Sequence, residues 1–157
     1  MDDNEEEQEP LKDEMRTIIE EARKVLPGIQ ALFGFQTMAV FNSKFEALSQ
    51  GSRSAYLIAL GFLTLSMGLL MTPAAYNRLA ERGKVSRNMI NLSSTLITSA
   101  MVPLIAAFSL DVYVVALAAV GSSQIAWFGS LATCCLLASL WFLFPFLKKL
   151  SKASGGP

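Results

Sequence analysis

Residues 54–73 read SAYLIALGFLTLSMGLLMTP, twenty positions without a single charged side chain. A helix of that length rises about 30 Å, which is the thickness of a bilayer's hydrocarbon core. Inside hydrocarbon every backbone N–H and C=O has to be satisfied within the segment, so the stretch reads as a transmembrane helix. Arg53 stands immediately before it, and the next charge is Arg78.

Working outward, three further stretches meet the same test. Residues 27–43 (PGIQALFGFQTMAVFNS) lie between Lys24 and Lys44. Residues 90–110 (INLSSTLITSAMVPLIAAFSL) form the third, and residues 124–147 (QIAWFGSLATCCLLASLWFLFPFL) end at Lys148 and Lys149. The expected fold is therefore all-α, an integral membrane four-helix bundle spanning residues 27–147. Between residues 92 and 120 the only charge is Asp111. As helix these 29 residues would run about 43 Å, so the third span either projects past the bilayer or turns along its outer interface. Gly121-Ser122-Ser123 is the expected turn.

Composition agrees with this reading. The 157 residues are 52% apolar and only 17% charged, with no histidine, and mean hydropathy is +0.42. The zero net charge hides a division. Residues 1–24 hold ten acidic and four basic residues, a net of −6, and the remaining 133 carry +6. Such a chain is not a nucleic-acid module, an ordinary soluble enzyme or a disordered scaffold. Without histidine there is no imidazole base or metal ligand, and no nucleophile–base pair or phosphate-binding loop is present. No enzymatic activity, metal or cofactor is expected.

Lys and Arg near spans stay on the cytoplasmic side. With four spans, one face carries eleven basic residues, from the N-terminal segment, the 74–89 loop and the tail. The other face carries only Lys44 and Arg53. Both termini are expected in the cytoplasm, with the protein multipass in the cell inner (plasma) membrane. Tyr56, Tyr113 and Trp127 near outer span ends fit this, as does Tyr76 at an inner one, since such rings favour the membrane boundary.

Ahead of the spans, residues 1–10 are expected to be a disordered acidic tail. Residues 11–26 are expected to form an amphipathic interfacial helix on the cytoplasmic side. Its stripe is Leu11, Met15, Ile18, Ile19, Ala22, Val25 and Leu26, with Arg16–Glu20 and Glu20–Lys24 at ion-pair spacing. Pro27-Gly28 should break or redirect the chain. Residues 148–157 form a cytoplasmic tail, and Ser86 suits the cap of span three.

The polar residues of the spans are the candidate site. They are Gln30 and Gln36 on span one, the Asn91–Ser94–Thr95–Thr98 face on span three, and Asp111 at its outer end. At 100° per residue Asp111 shares a direction with Ser93, Ala100 and Leu104, away from Ser94 and Thr98. Asp111, Glu46, Lys44 and Arg53 gather on the outer face. There Asp111 either pairs with Lys44 or Arg53, or Asp111 and Glu46 bind a cation or proton. Gly34 on span one, and Gly61 and Gly68 on span two, mark small-residue faces for close helix packing, within the bundle or between subunits. Cys134 and Cys135 are adjacent on one helix and cannot bridge to each other in ordinary geometry.

Four stretches together, EARKVLPGIQALFGFQTMAVFNSKFEAL (21–48), MTPAAYNRLAERG (71–83), SLDVYVV (109–115) and LWFLFPFL (140–147), resemble an uncharacterised family of small bacterial four-span membrane proteins. Members carry a domain of unknown function and are sometimes labelled sodium:proton antiporters. The resemblance implicates Arg23, Pro27, Gly28, Gln30, Phe41, Phe45, Tyr76, Arg78, Glu81, Asp111 and Tyr113. Asn77 stands where relatives often carry histidine. Arg23, Tyr76, Arg78 and Glu81 form its cytoplasmic motif. The expected function is that of a non-catalytic membrane protein, a homo-oligomer or an accessory subunit of a larger membrane complex. The alternative is small-cation or proton transport through an oligomeric bundle. The expected partners are membrane lipid and either further copies of the chain or another membrane protein, with no nucleic acid.

Overall fold

The computed structural model describes residues 3–79 and 86–154, the side chains of 3–8, 44 and 150–154 excepted. Among the described residues the structure is helical, without strands. Helix α1 is Asp3–Ala39, a short α2 is Ser43–Glu46, α3 is Gln50–Leu79 and α4 is Arg87–Val120. Helix α5 is Ser123–Ala138, a π-helical turn covers Ser139–Leu143, and α6 is Phe144–Ser154. Among the described residues three helices are long and apolar enough to cross a membrane: Gln50–Leu79, Arg87–Val120 and Ser123–Lys149. The first expected span, 27–43, does not reach that standard, because the apolar end of α1 stops at Ala39.

Helix α1 departs from the expected boundaries in two ways. It starts at Asp3, within the segment expected to be disordered, and it runs unbroken through Pro27. Acidic side chains in the first turns are favourable against the positive end of the helix dipole, and Glu is a good helix former. The reason for continuity past Pro27 lies in packing. Met15, Ala22, Ile29 and Gln36 are all buried and lie seven residues apart. The buried face of the amphipathic part therefore continues without a break into the apolar part, and it offsets the hydrogen bond that proline removes.

Helix α3 shows a similar regularity. Ser52, Tyr56, Ala59, Leu63, Ser66, Leu70 and Pro73 are buried, in alternating steps of four and three. That spacing is the one expected of the buried seam of a left-handed helix packing. Ser49 caps this helix, its Oγ accepting from the Ser52 N–H at 3.2 Å. Ser86 caps α4 as expected, accepting from the Met89 N–H at 3.3 Å.

Helix α4 is continuous over 34 residues, so residues 112–120 extend span three. The chain turns at Gly121, whose φ of +70° lies in the left-handed region where a side chain is disfavoured. The last helix contains the π-turn just before Pro145. There the Phe144 N–H reaches back five residues to the Ser139 carbonyl. Proline at 145 cannot donate and crowds the carbonyl four residues earlier, and a widened turn accommodates it.

The chain divides into two compact units. The first comprises Met1–Phe41 and Leu63–Pro103. Its core holds Met15, Met89 and Ile90, with Leu11, Ile18 and Ile19 packed against them. Arg87 pairs with Glu14 at 2.7 Å beside that cluster, and Arg16 pairs with Glu20 at 3.0 Å. Deeper in the unit Ser66 Oγ donates to the Ala100 carbonyl at 2.8 Å, a buried bond between α3 and α4. The second comprises Asn42–Phe62 and Leu104–Pro157. It is held by aromatic pairs. Phe45 meets Tyr56 edge-on with centroids 5.3 Å apart, and Tyr113 packs against Trp127 at 5.2 Å. Gly129 lies where α5 meets α4, and a Cβ there would stand in contact with Val112 Cγ1 at 3.4 Å.

Candidate functional site

The second unit contains Asp111, the acid of α4. A turn of α4 holds its side chain half-buried, with one carboxylate oxygen wholly enclosed. Asp111 and Tyr56 lie within electrostatic reach of each other. The Tyr56 ring is buried and is fixed by Phe45 from the loop side. Tyr113, two residues beyond Asp111, lies against Trp127. A half-buried carboxylate on a membrane-capable helix can serve as a structural anchor or as a seat for a proton or small cation.

Arg53 does not serve Asp111 in the way the charge count led us to expect. Its Nε donates to the Leu48 carbonyl at 3.1 Å, and its Nη2 donates to the Glu46 carbonyl. Those carbonyls belong to the connection between α2 and α3, where no helical partner exists, and the guanidinium fork satisfies both. Glu46 itself is exposed. The side chain of Lys44, the other expected partner, lies outside the described residues.

The hydroxyl face of α4 behaves as its phase requires. Ser93, Ala100 and Leu104 are buried, while Asn91, Ser94, Thr95 and Thr98 are exposed. The Thr95 and Thr98 hydroxyls donate back to the carbonyls of Asn91 and Ser94 at 2.8 and 2.9 Å. These groups are satisfied along their own helix and do not extend the Asp111 cluster. On α1, Gln36 is buried, and Gln30 is exposed.

The first unit holds a second feature. A groove of about 620 Å³ runs between α1 and the last turns of α3, and it brings together Arg23, Pro27, Gln30 and Arg78. Tyr76 is partly exposed on the same helix end, and Glu81 lies outside the described residues. Of the motif residues, Arg23, Pro27, Gln30 and Arg78 line the groove of the first unit, while Phe45, Asp111 and Tyr113 belong to the second. Phe41 does not line the groove and is 86% exposed.

The glycines expected to pack within the bundle or between subunits have no close neighbour among the described residues of the chain. At Gly34, Gly61 and Gly68 an added Cβ would meet nothing within 4 Å. The buried seam of α3 lies on other faces of the helix. Sequence reasoning also passed over Ser66 and the role of Tyr56 in the core. The alternating four-and-three spacing from Ser52 to Pro73 is the signal that would have found both.

Comparison with known proteins bears on these residues as a set. No curated protein and no solved structure matches the chain. The model of a family of unknown function, DUF6328, matches residues 4–145, from the start of α1 to the turn after the π-helical segment. The match takes in both the arginine groove and the Asp111 cluster, and the chain belongs to the DUF6328 family.

Proposed function

We propose that this chain is a non-catalytic multipass protein of a bacterial inner (plasma) membrane that works by association, as a homo-oligomer or as an accessory subunit of a larger membrane complex. One observation carries the reading. Gly61, Thr64 and Gly68 form an exposed small-residue face on α3, and among the described residues none outside the adjoining turns of the helix comes within 4 Å of a Cβ placed at either glycine. In lipid there is no hydrophobic drive between helices, and small residues let two backbones approach closely enough for dispersion to hold them. A face of this kind, turned away from the chain's own core, fits another helix.

The test is the assembly state of the full-length protein in detergent and in lipid nanodiscs, measured by light scattering. The wild type is expected to be oligomeric or to co-purify with a partner, and Gly61→Leu with Gly68→Leu is expected to dissociate it. A wild type that runs as a lone, partnerless monomer overturns the reading.

Orientation belongs to the same proposal. With α1 crossing as a fourth span, the basic residues divide eleven to two. With three crossings they divide six to seven and specify no orientation. The charge pattern therefore supports four crossings with both termini cytoplasmic. Reporter fusions at the two ends test this, since three crossings would place them on opposite sides.

A second reading, small-cation or proton transport, draws on the half-buried Asp111 beside Tyr56. Flux in proteoliposomes that survives both Asp111→Asn and Glu46→Gln would remove those residues from it, and absence of flux would remove the activity.

A further inference from the structure

We infer that the groove between α1 and the last turns of α3 is a binding site for one anionic phospholipid. The inference rests on α3 crossing a membrane, and it is independent of self-association. Helix α3 has 30 residues and is about 45 Å long, the thickness of a bilayer with its headgroup layers. Its final turns, up to Leu79, therefore lie at headgroup level. Over the nine residues from Leu70 to Arg78 and Leu79, about 13 Å along the axis, the wall changes from purely apolar to cationic.

The groove has the polarity of an amphiphile. Leu70 and Met71 from α3, with Leu26 and Pro27 from α1, line its apolar part. Arg23 and Arg78 contribute the charge, one from each helix, and among the described lining residues there is no carboxylate. The two acids next to the lining along α1 are Glu21, which is exposed and does not line the groove, and Glu20, which is held by Arg16 at 3.0 Å. Two guanidiniums converging on one volume suit a phosphodiester, because each planar fork can grip two phosphate oxygens. Gln30 adds a neutral amide able to meet ester or glycerol oxygens. The volume of about 620 Å³ holds a headgroup with the first part of its acyl chains, and the groove is not closed, so the remaining chain can extend beyond it. An acidic peptide would meet the arginines but would have no use for apolar walls that continue toward the middle of a spanning helix.

The test uses the full-length protein, purified in detergent and supplied with phosphatidylglycerol and phosphatidylcholine in equal amounts, with bound lipid read by native mass spectrometry. Each basic residue at a membrane surface favours anionic lipid about fivefold, so a preference of tenfold or more for phosphatidylglycerol is expected. Arg23→Gln with Arg78→Gln is expected to reduce it to within about twofold, while Lys148→Gln with Lys149→Gln leaves it in place. An undiminished preference in the arginine variant overturns the site. Millimolar inorganic phosphate that displaces the lipid identifies a soluble anion as the ligand and overturns the lipid assignment. Should the arginine variant fail to fold, a photoactivatable phosphatidylglycerol on the wild type decides. Labels within residues 19–30 and 70–79 support the site, and labels confined elsewhere overturn it. An oligomer without lipid preference would defeat this inference alone, whereas a lipid-binding monomer would defeat the proposed association alone.

Discussion

Helix α3 and the last helix, residues 123–149, are equally apolar, yet they stand in their surroundings very differently. In α3, 28% of the most apolar window is buried, along a seam with regular spacing; in the last helix none of that window is. Ala126 and Ser130 mark where α5 is covered, near its start. Beyond them Leu131, Leu136, Leu140 and Leu143 are all more than half exposed. Apolarity determines that a segment enters a membrane, and it says nothing about whether protein or lipid covers the segment there. The seam of α3 belongs to a packed interior. The bare flank of the last helix belongs to lipid or to another polypeptide.

The sharpest way to break this contrast is to truncate one leucine in each helix. Leu63, with no exposure, is expected to cost about 2–5 kcal/mol as Leu63→Ala. Leu136→Ala, on the bare helix, should change stability by less than about 0.5 kcal/mol. Reversible unfolding in mixed micelles reads both. Equal costs would mean that the last helix is covered by a partner, which would erase the contrast and locate an interface.

A smaller effect distinguishes the hydroxyls of the two helices. Ser66→Ala removes a bond between helices and leaves the Ala100 carbonyl without it, at an expected cost of about 0.6–1.7 kcal/mol. Thr133 on the last helix donates only to the Gly129 carbonyl four residues earlier. That carbonyl already serves its own helix, so Thr133→Ala should fall within about 0.5 kcal/mol of wild type in the same assay. The smallest effect is expected where α1 meets the start of α4. Glu14 and Arg87 are both substantially exposed, and Arg87→Gln should cost under about 1 kcal/mol and less at high salt. A larger loss would show that this ion pair, and not the Met15–Met89–Ile90 cluster, holds α1 in place.

Much of the fold is legible in the residues, and the reason is the bilayer. Residues 54–73, 90–110 and 124–147 each lie within an observed helix, because uncharged runs of that length leave the backbone no other way to satisfy itself in hydrocarbon. The turn at Gly121 and the cap at Ser86 are local chemistry and were equally readable. Pro27 was misread because proline is judged by its neighbours along the chain. The buried positions 15, 22, 29 and 36 that carry α1 past it depend on contacts across the unit. The same holds for Arg53, whose charge pointed to a carboxylate and whose position supplied two loop carbonyls.

The candidate sites were legible as residue types and not as groupings. Arg23 and Arg78 are 55 positions apart, and the resemblance joined them only as members of a cytoplasmic motif. Only the packing of α1 along α3 brings them to one groove. The helical phase of Asp111 could be computed from the residue order, whereas its nearness to Tyr56 required a second helix.

By itself, then, the sequence determined that the chain is helical, that at least three helices suit a membrane, and which end of each is charged. These are properties of single segments, set by transfer energy and hydrogen bonding within the segment. Tertiary structure decided which faces are buried, that the glycines of α3 look outward, and that two distant arginines share a groove. Those are properties of pairs of segments, and they depend on side-chain shapes that meet only after the helices have formed.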